Sequence, residues 1–76
     1  MSDNDKSLNQ LLEEVRSAVF AQCYRLVGSI EDAEDLTQES LLRMAEGYDR
    51  FEGRSQFRTW AYRIATNTCY NYLQSA

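Results

Sequence analysis

The 76-residue chain has no histidine and no proline, only three glycines and two cysteines. Without histidine, zinc sites and Ser-His or Cys-His catalytic pairs lose their usual parts. Without proline, and with glycine scarce, little interrupts a helix, so the composition favours a few long ones. No apolar run approaches the roughly 18 residues a membrane span needs. The opening "MSDNDKS" is acidic and polar, unlike a signal peptide. Cys23 and Cys69 lie far apart and form no CxxC, so they read as reduced thiols that pack in a core. These absences point away from an enzyme, a metal or other cofactor, and a membrane partner. They favour a cytoplasmic domain.

Hydrophobic residues make up 43% of the chain, too many for a disordered segment and enough for one small globular domain with a modest core. The formal charge of −4 is unevenly spread. Residues 1–47 hold four basic and ten acidic side chains, a net of −6; residues 48–76 hold four and two, a net of +2. One half is acidic and the other mildly basic, so the two halves suit different partners.

Residues 1–7 read as a disordered tail. From Leu8, apolar residues recur at Leu11, Leu12, Val15, Val19, Cys23, Leu26 and Val27, which is helical spacing. Gly28 suits a helix C-cap, and Ser29 suits the N-cap of a second helix, with Glu31 and Asp32 early in its first turn. That helix is expected over 30–47. "GYDRFEGRS" reads as a loop, and Ser55 as the N-cap of a third helix over 56–73. The expected fold is an all-α, compact three-helix bundle with a loop between helices 2 and 3, occupying residues 8–76.

Advancing about 100° per residue, helix 2 places Ile30, Ala33, Thr37, Leu41, Met44, Ala45 and Tyr48 on a core face. Asp35, Gln38, Glu39, Leu42 and Glu46 fall opposite. A solvated charged face is the ordinary reading of such a stripe. Leu42 at its centre, and no lysine or arginine within the stripe itself, suggest instead a docking surface for a basic partner helix.

Helix 3 divides three ways. Phe57, Ala61, Ile64, Ala65, Thr68 and Tyr72 form a core stripe, and Tyr62, Cys69 and Leu73 a narrower apolar strip facing helix 1. The remaining face carries Gln56, Thr59, Trp60, Arg63, Thr66, Asn67, Tyr70 and Asn71, with no acid among them. Rings, a guanidinium and amides in this pattern suit unpaired bases better than a duplex, which calls for many phosphate contacts. The other reading is that Trp60 and Tyr70 are partly buried; periodicity leaves both open.

Three motifs in fixed order now stand out: Asp32 to Glu39 within "EDAEDLTQES", Asp49 to Phe51 in "DRF", and Phe57 to Asn67 in "FRTWAYRIATN". Together they resemble conserved region 2 of bacterial sigma factors of the sigma-70 superfamily, in the extracytoplasmic-function (ECF) group. The likeness covers about residues 20–74. It implies that Asp35, Gln38, Glu39 and Leu42 bind the β′ clamp coiled coil of the RNA polymerase core. It implies that the last helix and preceding loop recognise and melt the promoter −10 element by holding its non-template single strand. Gly47, Phe51 and Asn67 would line a pocket for a flipped base, Trp60 would help prop the strand open, and Arg58 and Arg63 would hold phosphates or steady the helix. Tyr70 and Asn71 would lie along the strand, and an anti-sigma factor is a further partner the resemblance admits. Two departures accompany it: a short acidic tail where many ECF factors have a further helix, and Tyr70 where the residue is often basic or polar. With no −35-binding helix-turn-helix after region 2, the chain reads as a domain cut from a longer protein, the other reading being a reduced homologue. The alternative function is a helical interaction module that occupies the clamp without reading DNA.

Overall fold

Ser7 opens the first helix. Its hydroxyl accepts the Gln10 N–H at 3.2 Å while the Gln10 side chain accepts the Ser7 N–H at 2.9 Å. This reciprocal capping box satisfies two donors that have no partner within the helix. In the computed structural model, which describes residues 6–53 and 55–75, this helix, α1, spans Leu8–Val27. It is followed by α2 over Ile30–Gly47, one 3-10 turn over Tyr48–Arg50, and α3 over Phe57–Gln74. The described residues contain no strand, and the chain forms the all-α three-helix arrangement expected of it. Of the tail expected over residues 1–7, the first five lie outside the described residues. Lys6 is tied to Glu14 at 2.9 Å, and Ser7 belongs to the cap.

Gly28 ends α1 in the left-handed region, φ 76°, and donates its N–H to the Tyr24 carbonyl at 2.8 Å. Ser29 then caps α2 by accepting the Asp32 N–H at 3.3 Å, with Glu31 and Asp32 in the favourable first turn. A link of two residues folds α2 straight back along α1. At the far end of α2 the Trp60 ring lies over Gly47, where a Cβ would meet Cζ2 at 3.7 Å. At the near end Asp32 interacts with Tyr72. The start of α3 therefore sits by the end of α2, and the helices run up, down and up.

Ser55 does not cap α3. Gln56 holds the cap position without a side-chain bond, and its carbonyl accepts the Trp60 N–H at 3.2 Å. What anchors this end instead is burial of Phe57, which is 1% exposed.

One apolar cluster joins the helices: Leu11, Val15, Val19 and Cys23 at four-residue spacing on α1; Ala33, Leu36, Leu41 and Met44 on α2; Phe57, Ala61, Ala65 and Cys69 on α3. Buried hydroxyls fit among them by donating to the carbonyl one turn back: Thr37 to Ala33 at 2.6 Å, Ser40 to Leu36 at 2.7 Å, Thr68 to Ile64 at 2.8 Å. Three expectations are corrected. The buried arc of α2 reaches Leu36 and Ser40, because α2 packs on both neighbours. Ile30, expected in the core, is exposed because it is the first residue of α2 and stands at the end of the bundle. Tyr72, expected in the core stripe, and Tyr62 and Leu73, expected against helix 1, are likewise exposed; of that narrower strip only Cys69 is buried.

Candidate functional site

Two outer faces remain once the core is accounted for. On α2, Asp35, Gln38, Glu39 and Glu46 are all exposed, and Leu42 among them is 59% exposed. The helix turns these side chains outward because Ala33, Leu36, Thr37, Ser40 and Met44 occupy the buried side. The stripe is not wholly uncompensated, a correction to its reading from sequence. Arg43, one turn after Glu39, donates to its carboxylate at 2.7 Å. An exposed pair of this kind contributes at most about 1 kcal/mol, so Arg43 holds Glu39 only weakly. Gln38 also borders a groove of about 340 Å³ between α1 and α2, lined by Arg16, Ser17, Phe20, Glu34 and Thr37 as well. The i, i+4 spacing of Glu39 and Arg43 was legible in sequence; the α1 wall of the groove was not, because it depends on how two helices meet.

On α3, Arg63, Asn67, Tyr70 and Asn71 are exposed along the side away from the core, Tyr70 by 50%. Thr59 and Gln56 extend the strip toward the loop. Thr66 leaves it: its hydroxyl accepts from the Gln22 side chain at 3.2 Å across to α1. Trp60 leaves it too. Its ring lies 5.0 Å from Phe51 and 5.4 Å from Phe57, centroid to centroid, and it is partly buried. The reason is position: Trp60 follows Phe57 by nearly one turn and stands where the connection after α2 folds over the helix.

That connection is ordered by rings. Tyr48, Phe51, Phe57 and Trp60 form one aromatic cluster with centroids 5.0–6.1 Å apart, edge-on or tilted in most pairs. Gly47 and Phe51 are thus brought together around Trp60, with Asn67 two turns, about 10 Å, further along α3. Arg58 is not on this face. It is exposed, but nine residues separate it from Asn67, which on a helix is half a turn from alignment. Arg50 is exposed at the end of the 3-10 turn.

Two ionisable groups are perturbed. The Asp32 carboxylate raises the Tyr72 phenol above its ordinary value, chiefly through a side-chain hydrogen bond and then through its charge. Burial, with Cys23 beside it, pushes the Cys69 thiol up to about 12. Neither group lies on the two faces. Among the described residues no three metal-ligating side chains cluster, and no helix is long and apolar enough to cross a membrane.

The domain thus carries an acidic stripe around a leucine on one helix and an acid-free polar and aromatic strip on another. The Sigma-70 region 2 model matches residues 11–76. ECF RNA polymerase sigma factor SigG of Mycobacterium tuberculosis is 53% identical over 62 residues, 82% of this chain and 17% of that protein. SigW of Bacillus subtilis is 40% identical over 52 residues, 68% of this chain and 28% of its own length. The sigma-E factor of Escherichia coli is 39% identical over 70 residues, 92% of this chain and 36% of its own length. No solved structure matches the chain significantly. The chain belongs to the Sigma-70 region 2 family, in its ECF group. It spans between about a sixth and just over a third of the length of these relatives.

Proposed function

We propose that this domain docks on the RNA polymerase core through α2 and holds the non-template strand of a promoter −10 element, as it melts, against α3. The observation that carries the reading is the separation of the two faces. The acidic stripe with Leu42 is on α2, and the acid-free strip of Arg63, Asn67, Tyr70 and Asn71 is on α3. In this reading Asp35, Gln38 and Glu39 meet the basic β′ clamp coiled coil and Leu42 supplies the apolar contact. Tyr70 stacks a base, Asn67 and Asn71 hydrogen-bond base edges, and Arg63 holds a phosphate. An extruded base is received beside Gly47 and Phe51, next to Trp60, with Asn67 further along α3 facing it. Trp60 supports that position rather than presenting a free stacking face. Arg58 steadies the helix or holds phosphate outside the strip. Stacking of an extruded base, worth about 1–3 kcal/mol, offsets the few kcal/mol of unstacking and unpairing.

Anisotropy of short labelled oligonucleotides tests the DNA half. Single-stranded −10-type sequence binds weakly and duplex hardly at all, and Asn67→Ala lowers single-strand affinity about tenfold, one base contact's worth. Equal affinity for all sequences, or tight duplex binding, overturns the reading. One observation favours a second reading, an interaction module that occupies the clamp without DNA. Trp60 is withdrawn into the aromatic cluster, which leaves Tyr70 as the exposed ring of the strip. Under it, Asn67→Ala changes nothing while α2 still binds polymerase.

A further inference from the structure

Two thiols far apart in the sequence meet in the fold. Cys23 on α1 and Cys69 on α3 are both 0% exposed and belong to the same apolar cluster. Their following residues, Tyr24 and Tyr70, are 44% and 50% exposed, so each cysteine turns inward where its neighbour turns out. The bond from Gln22 to Thr66, 3.2 Å, fixes the register of the two helices one residue before Cys23 and three before Cys69. Ala65 and Ala61, one and two turns earlier on α3, are too small to hold the helices apart. Both thiols are free and buried, and Cys23 beside it helps to raise the Cys69 pKa.

We propose that Cys23 and Cys69 form a redox-modification site, a dithiol across the α1–α3 seam that closes to an intramolecular disulfide when hydrogen peroxide reaches it. This rests on the packing alone and is independent of the polymerase and promoter reading. The chemistry balances with peroxide as the oxidant. When the seam fluctuates open, one cysteine as thiolate attacks a peroxide oxygen. An S–O bond forms, the O–O bond breaks, and the departing hydroxide takes a proton to become water. The second cysteine then attacks the sulfur of the resulting sulfenic acid. The S–S bond forms, the S–O bond breaks, and the second oxygen leaves as water with the thiol proton. Two thiols give up two electrons and the peroxide accepts them. In the closed seam Cys69 keeps its proton, which makes the pair slow toward bulky thiol reagents and leaves small peroxide as the effective one.

Treat the chain with hydrogen peroxide and follow intact mass, free thiols and thermal unfolding. The expected product is monomeric, lighter by two hydrogens, with no free thiol and a linked Cys23–Cys69 peptide on digestion. The bridge closes a loop of about 47 residues, so Tm rises by at least about 10 °C and falls back with dithiothreitol. Cys23→Ala and Cys69→Ala each abolish both changes; should either unfold, the linked peptide from the unsubstituted chain decides. Disulfide-linked dimers, sulfinic acid at one cysteine without a linked peptide, or a linked product with unchanged or lower Tm overturns the proposal.

Discussion

Trp60 shows how one side chain is claimed by two roles. From its spacing it shares a strip with Arg63, Asn67 and Asn71, yet its ring packs on Phe51 and Phe57 and covers Gly47. Trp60→Ala is therefore expected to destabilise the domain by about 2–3 kcal/mol, somewhat less than a fully buried ring, as read by urea denaturation. A ring that only stacked on DNA would leave the midpoint unchanged. Tyr72 carries a pH signature. Its folded-state pKa is raised by Asp32, so the bonded phenol's contribution is complete below the ordinary phenol pKa and is lost as pH climbs through the raised value. Asp32→Asn is expected to bring that ionisation down toward its usual range. Ultraviolet titration, with the Tyr72→Phe chain subtracted to isolate this phenol, measures it.

At the scale of the element, α2 presents its acid to one side and its small and apolar residues to the other. Asp35→Lys together with Glu39→Lys is expected to reduce affinity for RNA polymerase core at least about 100-fold, since each reversal replaces attraction with repulsion. The fold is expected to tolerate both, because the sites are exposed and the one ion pair lost is a surface pair; unchanged polymerase binding with intact helicity counts against the docking role. The helices themselves were legible in the sequence because their signals are local: Gly28 with its positive φ, Ser29 as a cap, and four-residue apolar spacing on α1. The outward stripe of α2 was legible for the same reason. Trp60, Tyr72 and the cysteine pair were not, because each depends on which neighbour stands opposite, and helical periodicity reports only which side of its own axis a residue occupies. Ser55 failed as a cap because a buried Phe57 fixes the start of α3 more strongly than a hydroxyl does.

For the whole molecule, the net charge of −4 is a composite of two unlike halves. An acidic whole weakens attraction to random duplex, while the strip on α3 offers few cations for phosphate. The expected salt dependence of single-strand binding is accordingly shallow. With one to three phosphate contacts, log K falls with log salt at a slope of about −0.7 to −2. Anisotropy across a salt series checks this, and a slope near −5 would mean a broader electrostatic footprint than α3 provides. The two faces also differ in what each can lose. In the proposed reading, removing charge from α2 leaves Arg63, Asn67, Tyr70 and Asn71 in place on α3, so a variant that loses polymerase is still expected to bind oligonucleotide.

The aromatic cluster has an optical consequence. Trp60 is the chain's single tryptophan, and its indole is held 5.0 Å from Phe51 at the point where the connection between α2 and α3 folds over. Anything that lifts Phe51 away, whether a base entering beside Gly47 or melting of the 3-10 turn, exchanges an aromatic neighbour for water and shifts the indole emission. The domain thus contains a label-free gauge of its own loop, placed beside the position proposed for the extruded base.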